Sequence, residues 1–269
     1  MTTATQAGTF KLGGELEVNR LGFGAMRLTG RGIWGEPADR EECRRVLTRA
    51  LELDINLIDT ADSYGPEVSE NLIAETLHPY PDDLVIATKG GFLRDGPNQG
   101  RPDCRPEHLK EACEGSLRRL KVDRIDVYQL HTVDPKVPYE ESVGAIKELQ
   151  DEGKVRLAGI SNVDADQLAA ALDIIQVVSV QNRYNLADRD SEDVLQVCEQ
   201  AGIGFIPWAP LDAGRSEVPN EIALAWLLHR SEVMLPIPGT SSVEHLEQNL
   251  RAAELDEEAL AEAVSRIDS

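Results

Sequence analysis

The chain has 269 residues, 41% of them apolar, with a formal net charge of −21 from 48 acids against 27 bases. That balance excludes a nucleic-acid surface, which needs a basic patch for phosphates, and no run reaches the roughly 18 uninterrupted apolar residues of a membrane helix. The four cysteines, Cys43, Cys104, Cys113 and Cys198, show no C-x-x-C pairing and read as reduced thiols, three of them on predicted helices.

The opening stretch, "MTTATQAGTFKLGGELEV", lacks the basic start and apolar run of a signal peptide, so a cytoplasmic protein is expected. Only 7 of the bases are Lys and 20 are Arg. Acid excess with scarce lysine suggests a cytoplasm rich in salt, where self-repulsion is screened.

Along the chain, "TFKLGGELEV" signals a hairpin turning at Gly13-Gly14. Eight apolar runs follow: "LGFGAM", "INLIDTA", "DLVIATK", "IDVYQLH", "VRLAGIS", "VVSVQN", "GFIPWAP" and "VMLPIPG". Amphipathic stretches such as "REECRRVLTRALEL" and "SEDVLQVCEQAG" separate them, and several open on Ser, Asp or Pro and close on Gly. Buried runs joined by helices are parallel strands. Eight such units without a linker or repeat predict one (β/α)₈ TIM barrel spanning 1–269, an α/β fold with an N-terminal β-hairpin and "DEEALAEAVSRIDS" as an extra C-terminal helix. An open doubly wound sheet is the alternative, but "LGFGAM" has no third glycine and opens no helix directly.

In a barrel of this kind, chemistry collects where strands end. The second strand delivers Asp59 and, in its loop, Tyr64; the third ends at Lys89 and the fourth at His131. Each alone has an ordinary reading: a cap, a rim aromatic, a solvated amine, a core histidine. Together they crowd an acid, a phenol, an ammonium and an imidazole into one mouth, which suggests proton transfer. An ammonium beside the phenol is expected to lower its pKa from about 10, Asp59 to keep Lys89 charged, and a neutral His131 to position a carbonyl. His131 has no second histidine or clustered carboxylates at ligand spacing, so no metal is expected.

At this point "FGAM", "IDTADSYG", "ATKGG", "YQLH", "SN", "QNRYN" and "PIPGTSS" resemble the aldo-keto reductases, in order and spacing, over nearly the whole chain. The resemblance implies reduction of aldehydes or ketones to alcohols by a nicotinamide hydride. Tyr64 would be the general acid, tuned by Lys89 and Asp59, with His131 orienting the carbonyl. Ser161, Asn162 and Gln181 would hold the nicotinamide carboxamide and Trp208 would stack on its ring. Gly24, Ala25 and Met26 after the first strand, and Ala209, Pro210 and Leu211 after the seventh, would line the same cofactor.

Gly239, Thr240 and Ser241, followed by His245, Gln248 and Asn249, would take its far end. Free backbone N–H groups at Thr240, Ser241 and Ser242 would offer a phosphate site. Many members of the family carry lysine at the position of Gly239 and arginine at that of His245, which weakens the electrostatic case for NADP; NADP(H) is still expected over NAD(H).

Between Leu211 and Ala223 the chain has only "DAGRSEVPNEI", shorter than the family's cofactor-covering segment, so weaker cofactor binding is expected. Trp34 is a candidate wall for the substrate pocket. The implied partner is a small-molecule carbonyl substrate, with no nucleic acid, membrane or obligate protein partner evident. Rival readings are a Schiff-base Lys89, as in barrel aldolases, and a non-catalytic nicotinamide-binding regulatory barrel like the potassium-channel β subunits.

Overall fold

The computed structural model describes residues 2–212, 218–256 and 258–261. Strands β1 (Thr9–Leu12) and β2 (Leu16–Asn19) form an antiparallel hairpin. Its turn uses the left-handed Gly13 and Gly14, φ 60° and 76°, and takes in Glu15 as a third loop residue. A Cβ on Gly13 would come within 3.0 Å of Val178 and 3.1 Å of Leu157, so the turn tucks against the early residues of two barrel strands. Leu12 and Val18 then join the apolar core inside the barrel and seal its lower end.

The barrel sheet is parallel and seven-stranded. It begins with β3 (Phe23–Gly24), β4 (Leu57–Asp59) and β5 (Val85–Gly90). A second antiparallel hairpin, which the sequence does not announce, follows the third of these: β6 (Phe92–Gly96) and β7 (Gln99–Pro102). The sheet then continues from β5 through β8 (Ile125–Leu130), β9 (Val155–Ser161), β10 (Val177–Arg183) and β11 (Gly204–Trp208).

The run predicted as an eighth strand departs from expectation. Pro236 and Pro238 have no N–H to donate, so residues 233–239 form no regular ladder. They nevertheless occupy the eighth position: Leu235 N–H donates to Phe205 O (2.8 Å), and Gly22 N–H donates to Pro236 O (3.0 Å), which closes the barrel between β11 and β3.

Among the described residues eight α-helices cover the sheet: α1 (Arg40–Glu52), α2 (Val68–Leu77), α3 (Pro106–Leu120), α4 (Tyr139–Asp151), α5 (Ala165–Leu172), α6 (Glu192–Ala201), α7 (Asn220–Arg230) and α8 (Val243–Leu250). Local chemistry starts and stops them. Asp39 caps α1 by accepting from Glu42 N–H, Asp164 and Gln167 form a capping box on α5, and Gly202 ends α6 at φ 65°. Of the predicted C-terminal helix, residues 258–261 are helical, and 262–269 lie outside the described residues. The four cysteines are free and buried, with Cys43, Cys113 and Cys198 on helices. Among the described residues no helix is long and apolar enough to cross a membrane.

Inside the barrel the period of two along each strand stacks a polar layer on an apolar one. Leu57, Val85 and Ala87, and Val127 lie in the inner apolar core, and the next residues on the same strand faces are Asp59, Lys89 and Gln129.

Candidate active site

Lys89 is fully buried at the axis. Its ammonium donates to Asp59 Oδ1 at 2.5 Å and to the Thr60 carbonyl at 2.9 Å, and lies 3.5 Å from the Tyr64 hydroxyl. The second oxygen of Asp59 accepts from Gln129 Nε2 (3.0 Å) and Gln181 Nε2 (2.8 Å). The buried carboxylate is therefore held on both sides, and the buried cation has a charge partner and a carbonyl, as desolvated ions require.

Tyr64 sits in the turn between β4 and α2, with its N–H donating to Ala61 O and its carbonyl accepting from Ser69 N–H. Its ring meets that of His131 edge-on at 5.9 Å. The structure thus brings Asp59, Tyr64, Lys89 and His131 together. Gln129 completes the set; residue parity on "YQLH" could have found it, since Gln129 shares the inward face of Val127. Gly159 on the neighbouring strand makes room for it, because a Cβ there would come 2.9 Å from Gln129 Cγ.

The electrostatics correct one expectation. Burial pushes the Tyr64 hydroxyl above its ordinary value, and the Lys89 ammonium offsets this only in part. The phenol is 6% exposed, and water lost by the phenolate outweighs one ammonium at 3.5 Å. The hydroxyl is therefore protonated near neutrality. Burial alone pulls Lys89 down, but Asp59, followed by Tyr64, more than compensates, and the net direction is upward. An ammonium held by Asp59 and the Thr60 carbonyl is a poor amine nucleophile, which counts against the Schiff-base reading. His131 is pushed well below its ordinary value by burial, then by Lys89 and Arg94, so the imidazole is neutral.

Above this cluster opens a cavity of about 560 Å³. Gly24, Met26 and Gly239 line one side, Ser161, Asn162 and Gln181 another, and Trp208, Ala209, Pro210 and Leu211 a third. Asn162, at φ 57°, has both ends of its amide engaged: it donates to His131 O (2.9 Å) and accepts from Trp208 Nε1 (2.9 Å). Ser161 donates to Gln181 O at 2.6 Å. A space with an aromatic wall at Trp208, glycines at Gly24 and Gly239, and the amide and hydroxyl side chains of Asn162, Gln181 and Ser161 has a lining of the kind that suits a nicotinamide dinucleotide.

Several expected residues lie elsewhere. Trp34 does not line the cavity. Ile33, at φ 61°, does so instead, and Trp34 turns outward at 37% exposure. Ala25 and Thr240 are buried, Ser241 and His245 are exposed, and none of the four is among the cavity's lining. Gln248 donates to Glu221 and Asn249 accepts from Asn220, so both tie α8 to α7 rather than facing the cavity.

The N–H groups before α8 are also less free than expected. Ser242 N–H donates to Thr240 Oγ1 (3.1 Å), and Val243 N–H donates to a carboxylate oxygen of Glu42 (3.0 Å). Of the three N–H groups named for a phosphate, Ser242 is thus engaged within its own turn, and an acid from α1 sits one residue further on, at the first N–H of α8, where the helix terminus favours negative charge. The shortened stretch falls partly on residues 213–217, outside those described. Among the described residues no group of three or more His, Cys, Asp or Glu could hold a metal ion.

Comparison with known proteins gives the same direction. A sequence model described as the aldo/keto reductase family matches residues 20–218 and 215–269, two stretches that meet at the segment after Leu211. An uncharacterized oxidoreductase of Schizosaccharomyces pombe is 50% identical over 288 residues, covering 98% of this chain and 94% of that protein. The alignment is longer than the 269 residues of this chain, so the yeast protein carries residues that are missing here. Pyridoxine 4-dehydrogenase of Escherichia coli is 41% identical over 267 residues, 92% of this chain and 93% of its own.

Among solved structures, the holo form of an aldo-keto reductase from Bacillus halodurans superposes with a TM-score of 0.82 at 28% identity, covering 98% of this chain and 96% of that one. A Klebsiella pneumoniae aldo/keto reductase in complex with NADP and acetate gives 0.78 at 28% identity, covering 96% and 94%.

Proposed function

The chain belongs to the aldo/keto reductase family, an oxidoreductase on a (β/α)₈ barrel, and from that premise we propose that it reduces aldehyde or ketone carbonyls to alcohols with NADP(H). The observation that carries this reading is the buried set around Tyr64, with Lys89 Nζ 3.5 Å from its hydroxyl and Asp59 Oδ1 2.5 Å from the same ammonium.

The bound nicotinamide supplies the hydride. Tyr64 supplies the proton: its hydroxyl is kept protonated by burial until a carbonyl oxygen gains negative charge beside it. The ammonium of Lys89 then faces the new phenolate at close range, and Asp59, fixed by Gln129 and Gln181, keeps that ammonium charged and in place. A neutral His131 has an N–H to give to the substrate oxygen. Ser161, Asn162 and Gln181 would hold the carboxamide and Trp208 the ring face, with Gly24 and Gly239 lining the same cavity.

A Klebsiella relative's complex with NADP supports NADP(H), and pyridoxine 4-dehydrogenase, by its name, supports an alcohol–carbonyl couple in this branch of the family. The test is NADPH consumption with a panel of small aldehydes, comparing the parent with Tyr64→Phe. The expected loss is at least about a hundredfold, the low end of what general acid catalysis contributes; comparable rates in the two proteins reject the mechanism.

A further inference from the structure

The second hairpin carries a cation that the chemistry above does not use. Arg94, on β6, lines the same cavity as Tyr64 and His131. It is half-buried, and its Nε–H is buried without a hydrogen-bond partner. Among the described residues no carboxylate lies within ion-pair distance of it, and its neighbour Asp95 pairs with Arg101 across the hairpin instead. A half-buried guanidinium with an unused donor is costly in a protein of net charge −21, where acids are plentiful.

The local structure holds this cation at the substrate end. The Phe92 ring centroid lies 5.4 Å from the Arg94 guanidinium carbon and 5.3 Å from the His131 ring, so one aromatic ring supports both. Gly100, opposite Arg94 in the hairpin register, is what admits that ring: a Cβ there would collide with Phe92 Cε1. Arg94 also pulls the pKa of both Tyr64 and His131 downward, which places its charge within reach of the reacting group. The Gly239–Ser242 stretch proposed for the cofactor phosphate lies by Gly24 and α8, whereas Arg94 stands with Tyr64 and His131.

We propose that Arg94 is the substrate's anion receptor, and that the preferred substrates are small carbonyl compounds bearing a carboxylate a few bonds from the carbonyl carbon. This rests on the carbonyl-reductase reading and narrows it. The planar fork of arginine matches a carboxylate with two parallel N–H donors, and Arg94 lines the same cavity as Tyr64 and His131, so carboxylate and carbonyl belong on one short chain.

The experiment compares kcat/KM with NADPH for 4-oxobutanoate and its uncharged methyl ester, in the parent, Arg94→Gln and Arg94→Lys. The parent should favour the carboxylate by at least about tenfold, Arg94→Gln should cut that ratio by at least about tenfold, and Arg94→Lys should restore part of it. Because Arg94 also acts on Tyr64, absolute rates move with both substrates, and only the ratio reads recognition.

A parent ratio near one, a ratio unchanged in Arg94→Gln, or better turnover of an aldehyde carrying phosphate in place of the carboxylate overturns the assignment. If the parent reduces neither of these and none of the wider aldehyde panel, the proposed function fails. The inference is then read by calorimetry of glutarate binding, where Arg94→Gln must weaken the affinity at least about tenfold and an unchanged affinity rejects it.

Discussion

Lys89 and Asp59 form an ion pair at 2.5 Å that is closed to solvent on both sides, at the level where the barrel's apolar core gives way to its mouth. Removing one partner leaves the other as an uncompensated buried charge, at a cost of about 3–5 kcal/mol. Asp59→Asn and Lys89→Met should each lower the unfolding free energy by that order, read as a lower denaturant midpoint at unchanged m. The double variant should regain most of the stability while remaining inactive, because no ammonium faces Tyr64. Chemical denaturation alongside NADPH turnover checks this; a double variant as unstable as the worse single one counts against the pair as the source.

His131 gives a pH dependence of defined sign. The folded chain holds its pKa well below the ordinary value, so below about pH 6.5 the unfolded chain takes up a proton that the folded chain refuses. The stability due to the neutral ring is complete above about pH 6.5 and declines on acidification, by at most about 1.4 kcal/mol per pH unit. His131→Gln should flatten the stability profile between about pH 6.5 and 5. Profiles of equal slope for parent and variant exclude this contribution.

Glu42 accepts from Val243 N–H at the start of α8 and pairs with Arg45 on its other oxygen. If the adenosine end of the cofactor lies there, that carboxylate opposes a 2′-phosphate more than a 2′-hydroxyl. Glu42→Gln should raise the ratio of kcat/KM for NADPH over NADH by about two- to fivefold, in line with one charge at a helix terminus. A ratio that stays put, measured side by side, removes Glu42 from cofactor selection.

The net charge of −21 should make salt a stabiliser. Raising KCl from about 0.05 M to about 1 M shortens the screening length from well over 10 Å to about 3 Å, which weakens the repulsion among distributed acids. Thermal midpoints should rise over that range. A midpoint that is flat or falls would show that the exposed ion pairs, such as Arg40 with Glu75, outweigh the acid excess.

Sequence alone carries the barrel and most of its mouth, because parallel strands buried on both faces leave apolar runs and their last polar residues stand out at the ends. Asp59, Lys89 and His131 are visible for that reason. Gln129 is legible only through the parity of "YQLH", two residues before the conspicuous His131, because nothing else in the run marks it. The β6–β7 hairpin leaves no trace because "FLRDGPNQGRP" is polar, two-stranded and largely exposed, so neither periodicity nor burial marks it. The pairing of Glu42 with α8 joins residues about 200 positions apart and has no local signature. The eighth strand shows its apolar character in sequence, while the donors missing at Pro236 and Pro238 deny it the ladder that character suggests.

The stacking of Lys89 two residues above Ala87, and of Gln129 two above Val127, limits how this gene can change length. Losing or gaining one codon within 85–89 or 127–129 would carry Thr88 or Tyr128 to the axis and turn the ammonium or the amide out among the helices. Point changes in these strands can be graded, but single-residue length changes cannot. Length variation should therefore be tolerated in the loops and not in these strands.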